Sequence, residues 1–181
     1  IFTLAASAMP QDASDRAIGD ARDETWHSRR DGLERSGQRF ASGPMARVAF
    51  IGGSITKGSG WRNHVQDMLR DRFPQTSFAF TNAGIPSTGS VPGAFRLERD
   101  VFATGPVDLL VIEFAVNDST NGRTEEQMLR GLEGVIRRAR RLDPEVDILL
   151  LRFADPDKLR DWKAGKTPRV VAQHERVAKH Y

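Results

Sequence analysis

Three short polar segments, each directly after an apolar run, contain the residues best suited to chemistry. They are Gly52 to Thr56 ("GGSIT"), Asn82 to Ser87 ("NAGIPS") and Ala115 to Asp118 ("AVND"). A serine hydroxyl attacks carbonyl carbon once a base takes its proton. Backbone N–H groups and a side-chain amide can stabilise the oxyanion that forms. Together the three segments carry the groups needed for acyl transfer.

These segments are expected to meet if the apolar runs before them are neighbouring strands of one parallel sheet. Short continuous apolar runs are typical of strands that are buried on both faces. The chain has four such runs with helical patterns between them: "RVAFIG" (47–52), "SFAFTN" (77–82), "VDLLVIEF" (107–114) and "VDILLLRF" (146–153). This alternation predicts an α/β fold, a three-layer α/β/α domain. Ligands bind beyond the carboxyl ends of such strands, and a spatial order 2-1-3 would make the three segments neighbours.

The helical segments are predicted from apolar spacing and from terminal signals. Thr124 and Gln127 have the spacing of a capping box, which starts a long helix that Asp143-Pro144 ends. The other predicted helical features are a stripe of Trp61, Val65, Met68 and Leu69, a helix through "AFRLERDVFA" that pairs Phe95 with Phe102 and Leu97 with Val101, and a last helix over about 169–181. Residues 154–168 are predicted to form a polar excursion.

Other chemistries for the first segment fail on spacing. A phosphate loop requires G-x-x-x-x-G-K-[ST], and Ser59 stands where the lysine belongs after Gly53 and Gly58. A dinucleotide fingerprint requires G-x-G-x-x-G, and Asn63 takes its last glycine position. The nucleophile elbow G-x-S-x-G fails as well, because Thr56 replaces its final glycine.

Each of these polar residues also has a non-catalytic interpretation. Ser54 between glycine and isoleucine could be a turn or cap residue. Asn117 and Asp118 could form a loop turn and a helix cap. The other two segments favour a nucleophile at Ser54 and an oxyanion donor at Asn117, whereas Asp118 is better explained as a helix cap.

The remaining titratable residues are expected to have structural or surface roles. Glu113 lies inside a strongly apolar run and needs a partner if buried, for which an arginine is preferred over a catalytic function. His64 is expected to have a surface or packing role rather than to act as the base of Ser54, and His180 is an equally weak candidate for that base. Asp155 and Asp157 are expected in a solvated loop after the fourth strand.

The three segments together resemble the SGNH (GDSL) hydrolase family of esterases, lipases and thioesterases. "FIGGSIT" is similar to that family's G-D-S-[LI]-[ST] block, "NAGIPS" to its N-x-x-x-x-G block, and "VNDS" to its G-x-N-D block. The resemblance covers roughly Arg47 to Tyr181. It implies a flavodoxin-like sheet, Ser54 as nucleophile, and an oxyanion hole formed by the N–H groups of Ser54 and Ser87 with the Asn117 amide.

This sequence departs from the family pattern at several positions. Gly53 replaces the usual aspartate, Ser87 the usual glycine, and Val116 the glycine before the Asn-Asp pair. The fold is expected to tolerate Gly53 because the serine is kept. A backbone N–H remains at Ser87.

The family's D-x-x-H block, which supplies the catalytic histidine and its acid, has no match. The residues three positions before His27, His64, His174 and His180 are Glu24, Trp61, Val171 and Val177. We therefore expect the sequence to be a fragment, with the last strand missing and the general base beyond Tyr181.

Composition limits the class of protein and its partners. The 181 residues are 39% hydrophobic and 28% charged, which is ordinary for a globular domain. A net charge of +3, from 27 basic and 24 acidic residues, argues against a nucleic-acid partner. The basic cluster of Arg137, Arg138, Arg140 and Arg141 is expected to form a solvated helix face. No cysteine is present, which excludes thiol catalysis and disulfides, and no run is long enough to predict a membrane span.

The expected organisation has three parts. Residues 1–8 are interpreted as the remnant of an export signal, since Ala6-Ser7-Ala8 fits a cleavage site, with a frayed terminus as the alternative. Residues 9–45 are predicted to form a polar arm with one short helix near 26–39, and residues 46–181 the hydrolase-like domain. This predicts a secreted or periplasmic protein, with a cytoplasmic one as the alternative.

The expected activity is hydrolysis of an O-acyl ester, with a carbohydrate ester favoured over other small-molecule esters, and no metal or organic cofactor is implied. A lipase or thioesterase of the same fold, a non-catalytic flavodoxin-like binding module and a nucleotide-binding protein are the alternatives. The oligomeric state is left open.

Overall fold

A computed structural model of the protein describes residues 2–4, 27–29 and 32–181. Its strands are β1 (Phe2–Leu4), β2 (His27–Arg29), β3 (Met45–Gly52), β4 (Ser77–Gly84), β5 (Leu109–Glu113) and β6 (Asp147–Leu151). Its helices are α1 (Glu34–Ser42), α2 (Ser54–Lys57), α3 (Trp61–Arg72), α4 (Ser90–Leu97), α5 (Ala115–Thr120), α6 (Glu125–Leu142), α7 (Pro156–Lys163) and α8 (Arg169–His180). A π-helical turn, Glu98–Phe102, continues α4.

The strands form one sheet in the order β2-β1-β6-β5-β3-β4. Strands β3 to β6 are mutually parallel, as the sequence predicted, and the predicted order 2-1-3 is confirmed by β4-β3-β5. In this register Gly52 pairs with both Gly84 and Glu113. The carboxyl ends of three strands are therefore level, and the segments that follow them start at the same edge.

Each face of the sheet is covered by helices. Alternate residues of β3 point to opposite sides, so that Val48 and Phe50 belong to one core and Ala49 and Ile51 to the other. Phe40 of α1 and Leu69 of α3 pack in the first core. The second core contains apolar residues of α4, α6 and α8, which are Leu97, Leu132, Val135, Ile136, Ala139, Val177 and Ala178. The three-layer α/β/α prediction is confirmed.

The predicted bounds of the long helix are confirmed, whereas one predicted pairing of apolar residues is wrong. Thr124 and Gln127 make both hydrogen bonds of a capping box at the start of α6, which ends before Asp143. The predicted pairing of Phe95 with Phe102 is wrong, because Phe102 is buried while Phe95 is 83% exposed. The π-helical turn between them adds a residue to the helical period, which rotates Phe95 off the buried face.

The N-terminal residues differ from the predicted arm. Phe2–Leu4, expected in an export-signal remnant, pair in parallel with β6, and His27–Arg29 pair with β1 in the antiparallel direction. The helix predicted near 26–39 is α1 at Glu34–Ser42. The proposed cleavage site at Ala6-Ser7-Ala8 lies outside the described residues. Among the helices described, none combines the length and apolarity that a membrane crossing requires.

Candidate active site

Ser54 begins α2 immediately after the end of β3. Its side chain is exposed, and its hydroxyl forms no hydrogen bond with any described residue. The Ser54 N–H is the first of the helix, where N–H groups have no intrahelical acceptor. Both a free hydroxyl and a free N–H therefore face the solvent side of the sheet edge.

Asn117 lies in α5, a short helix, whereas the alternative interpretation placed it in a loop turn. Its side-chain amide packs against Gly53 so closely that a Cβ on Gly53 would overlap its oxygen. No hydrogen bond occupies this amide among the described residues. The family that the sequence resembles has aspartate at position 53. Because this chain has glycine there, the Asn117 amide can approach the backbone directly before Ser54.

Ser87 adopts a left-handed backbone conformation with φ 60°. This conformation costs a non-glycine residue about 1–2 kcal/mol, which gives a physical reason for glycine as the usual residue. The carbonyl of Ser87 accepts a hydrogen bond from Asn121 Nδ2 at 3.1 Å. Its N–H has no acceptor among the described residues, and is therefore available to a ligand.

Asp118 is a buried anchor for the helix that carries Asn117. Its Oδ1 accepts from the Ser90 N–H at 2.8 Å, so it caps α4 rather than its own helix. Its Oδ2 lies 3.0 Å from His174 Nε2, with both side chains buried. Since an ionised carboxylate only accepts hydrogen bonds, the His174 Nε2–H donates. A cap at Asp118 was predicted, but the buried pair with α8 was not.

Glu113, at the end of β5, corrects another prediction. It is 1% exposed and pairs with no arginine in the described part of the chain. Its Oε2 accepts a hydrogen bond from Thr56 Oγ1 at 3.4 Å, and its Oε1 has no partner. Burial raises the pKa of Glu113 to about 7, although the nearby backbone N–H of Val116 and the Thr56 hydroxyl favour the charged form. An apolar strand end therefore holds a carboxyl that favours its neutral form.

The segment after β6 is helical where a solvated loop was expected. Asp155 caps α7 by accepting from the Lys158 N–H at 2.9 Å, and Pro156 takes the first helical position. The buried Lys158 ammonium donates to Asp155 and, at 3.3 Å, to Ser119 Oγ of α5. Asp157 is exposed and pairs with Arg160. Burial opposes the shift, but the contacts with Lys158 keep the pKa of Asp155 below its usual value.

Residues 32–181 contain three histidines, and none of them bonds the Ser54 hydroxyl. His64 on α3 and His180 at the end of α8 are exposed, and His174 is occupied by Asp118. None of the three forms a hydrogen bond with Ser54. Nor do any three His, Asp or Glu side chains of the described residues form a group able to hold a metal ion.

Comparison with known families identifies the family of the chain. The GDSL-like Lipase/Acylhydrolase family model matches residues 50–181. The chain belongs to this family. Among curated proteins, no sequence matches the chain.

Solved structures share the fold. A two-domain esterase, CEX, active on acetylated mannans is 29% identical with a TM-score of 0.68, over 82% of this chain and 39% of that one. TesA is 27% identical with a TM-score of 0.56, over 72% of this chain and 69% of TesA. A variant of Axe2, an acetyl xylan esterase from Geobacillus stearothermophilus, is 23% identical with a TM-score of 0.56, over 77% of this chain and 72% of that one. The chain therefore spans about two fifths of the CEX structure.

Sequence reasoning missed two buried groups that support the site. His174 was set aside because Asp does not stand three residues before it, and its partner is 56 residues away. Arg96, in the middle of an apolar helix pattern, carried no signal for its contacts with Gly52 and Ala83. Neither pairing has a local spacing that a sequence could reveal.

Proposed function

We propose that the protein is a serine esterase that hydrolyses an O-acyl ester on a carbohydrate. The observation that carries the proposal is a set of unoccupied groups at one sheet edge. The Ser54 hydroxyl, the Ser54 and Ser87 N–H groups and the Asn117 amide have no hydrogen-bond partner among the described residues. The buried side chains of Asp118 and Arg96 form hydrogen bonds next to these groups and leave the groups themselves free to bind a ligand.

In this proposal Ser54 Oγ attacks the ester carbonyl carbon while a histidine takes the hydroxyl proton. The carbonyl oxygen becomes an oxyanion that accepts from the Ser54 N–H, the Ser87 N–H and the Asn117 amide. Collapse of the intermediate expels the alcohol, which receives the proton, and water then releases the acid. No histidine of residues 32–181 forms a hydrogen bond with Ser54, so the identity of the proton acceptor stays a prediction.

The carbohydrate substrate is supported by likeness alone. CEX is active on acetylated mannans, and the Axe2 structure is of an acetyl xylan esterase. The second of these is too distant in sequence to support more than the fold. An acetylated polysaccharide is the substrate class we favour over a lipid or a thioester. Such a substrate agrees with export of the protein, which stays a prediction.

The test is hydrolysis of acetylated mannan and of a nitrophenyl acetate by the full-length protein. Ser54→Ala should lower kcat by at least about 10³-fold with both substrates. Asn117→Ala should lower kcat by about 10²–10³-fold, the usual loss for one oxyanion donor. Ser59→Ala, an exposed serine of the same loop, is the matched control and should leave the rate unchanged.

The outcomes separate the alternatives. Release of acetate from nitrophenyl acetate but not from mannan would retain the esterase and exclude the polysaccharide substrate. Binding of acetylated mannan without hydrolysis would support the binding module instead. Equal rates for the wild-type protein and Ser54→Ala would remove Ser54 from the mechanism.

A further inference from the structure

Arg96 is a buried cation in α4 that reaches the two strand ends beneath the site. Its side chain is 7% exposed, in a helix that otherwise packs apolar residues such as Leu97 on the sheet. Its Nη1 donates to the Ala83 carbonyl at 2.6 Å. Its Nη2 donates to the Gly52 carbonyl at 3.0 Å and to Thr88 Oγ1 at 3.3 Å. One guanidinium thus joins the ends of β3 and β4.

The three acceptors lie directly beside the proposed catalytic groups. Gly52 is the last residue of β3, two positions before Ser54. Thr88 follows Ser87, and its hydroxyl also donates to the Ile85 carbonyl at 2.8 Å. The Ile85 N–H in turn donates to the Gly52 carbonyl at 3.0 Å. Arg96 is therefore bonded to the backbone that carries the nucleophile and to the loop that carries an oxyanion donor.

The loop that Arg96 holds is the strained one. Ser87 has φ 60°, a conformation that glycine adopts freely and serine does not. A strained backbone persists only where its surroundings over-determine it. On the C-terminal side of Ser87, the Thr88 hydroxyl is fixed between Arg96 and Ile85, in addition to the bond from Asn121 to the Ser87 carbonyl.

The charge of Arg96 is balanced locally. Burial lowers the pKa of Arg96, and a carboxylate oxygen of Asp100 lies 3.1 Å from its Nη1. Arg99 also bonds Asp100 but is exposed. A lysine could not replace Arg96, because its single nitrogen cannot direct the planar, forked set of donors that reaches three acceptors.

We propose that Arg96 is a positioning residue that sets the Ser87 N–H at the distance from Ser54 that one ester carbonyl requires. This rests on the proposed function. The distance between the Ser87 N–H and Ser54 should affect kcat more than substrate binding, because the oxyanion that this N–H stabilises forms only after Ser54 attacks.

The test compares Arg96→Lys and Arg96→Met in the full-length protein, each with and without Ser87→Gly. Arg96→Lys should lower kcat by about 10²-fold, since a misplacement of about 1 Å can cost that much, and leave KM within about threefold. Adding Ser87→Gly to an Arg96 variant should raise its kcat at least about tenfold, because glycine needs no support to adopt the left-handed conformation. Arg99→Met, at the exposed arginine of the π-helical turn that follows α4, is the matched control and should keep the wild-type kcat.

Several results would overturn the proposal. One is a wild-type kcat in both Arg96 variants. Another is a loss that Ser87→Gly leaves unchanged, since a purely structural role for Arg96 would not depend on the residue at position 87. Melting temperatures measured on the same samples identify a variant that is unfolded at the assay temperature. If Arg96→Met is unfolded, the kcat of Arg96→Lys, which keeps the charge, tests the proposal. Wild-type hydrolysis that survives Ser54→Ala would refute the proposed function, and this proposal with it, whatever the Arg96 variants do.

Discussion

Glu113 should make the stability of the protein fall as the pH rises from about 5 to 8. Its pKa is about 7 in the folded protein, against 4.5 for an exposed glutamate, because burial disfavours its charged form. The folded state therefore binds more protons than the unfolded state between these two values. The free energy of unfolding then decreases with pH in that range.

The magnitude follows from the two pKa values. The difference between 4.5 and about 7 corresponds to a maximal loss of about 3 kcal/mol once both states are ionised. Between pH 5 and pH 8 the Glu113 contribution to the free energy of unfolding should fall by about 2.5 kcal/mol. Glu113→Gln removes the titration while keeping an acceptor for the Thr56 hydroxyl.

Urea unfolding at pH 5 and pH 8 measures the effect. Glu113→Gln should be close to the wild-type protein at pH 5 and more stable than it by about 2 kcal/mol or more at pH 8. Glu126→Gln, an exposed glutamate, is the control and should follow the wild-type pH dependence. An identical loss of stability in the wild type and Glu113→Gln would refute the argument from burial.

Two further predictions concern the support of the oxyanion helix α5. Gly53→Ala should lower kcat of the full-length esterase by about 10²-fold, because the added Cβ displaces the Asn117 amide. Gly58→Ala is the control and should keep the wild-type kcat, because its Cβ meets only ordinary van der Waals contacts. Equal kcat values for the two variants would contradict the packing of Asn117 on Gly53. His174→Ala should lower the free energy of unfolding by about 3 kcal/mol, because the buried Asp118 carboxylate loses the partner of its Oδ2. A change below about 1 kcal/mol in urea unfolding would show that the contact between His174 and Asp118 contributes little to stability.

The parallel sheet was predictable from the sequence because its signal is local. Continuous apolar runs and the capping box at Thr124 depend on residues within a few positions of one another. The same is true of the three polar segments, since each follows its own strand. The register that levels Gly52 with Gly84 and Glu113 then brings them together without further information.

The supporting contacts were not predictable, because they join distant parts of the chain. Asp118 and His174 are 56 residues apart, and Arg96 and Gly52 are 44. The π-helical turn after α4 reversed the predicted burial of Phe95, since no residue pattern announced the extra residue. Glu113 was expected to pair with an arginine if buried, and this partner was wrong, because the Thr56 hydroxyl is the group that donates to the buried carboxyl at the end of β5.

The central claim is that Ser54 is an activated nucleophile, and covalent labelling tests it most directly. The full-length protein is treated with a fluorophosphonate, which reacts with serines whose hydroxyl is activated, and the modified residue is identified by peptide mass spectrometry. We expect one phosphonylated residue, Ser54, with labelling abolished in Ser54→Ala and retained in Ser59→Ala. Labelling that persists in Ser54→Ala, or a wild-type protein that is not labelled while it hydrolyses nitrophenyl acetate, would contradict it.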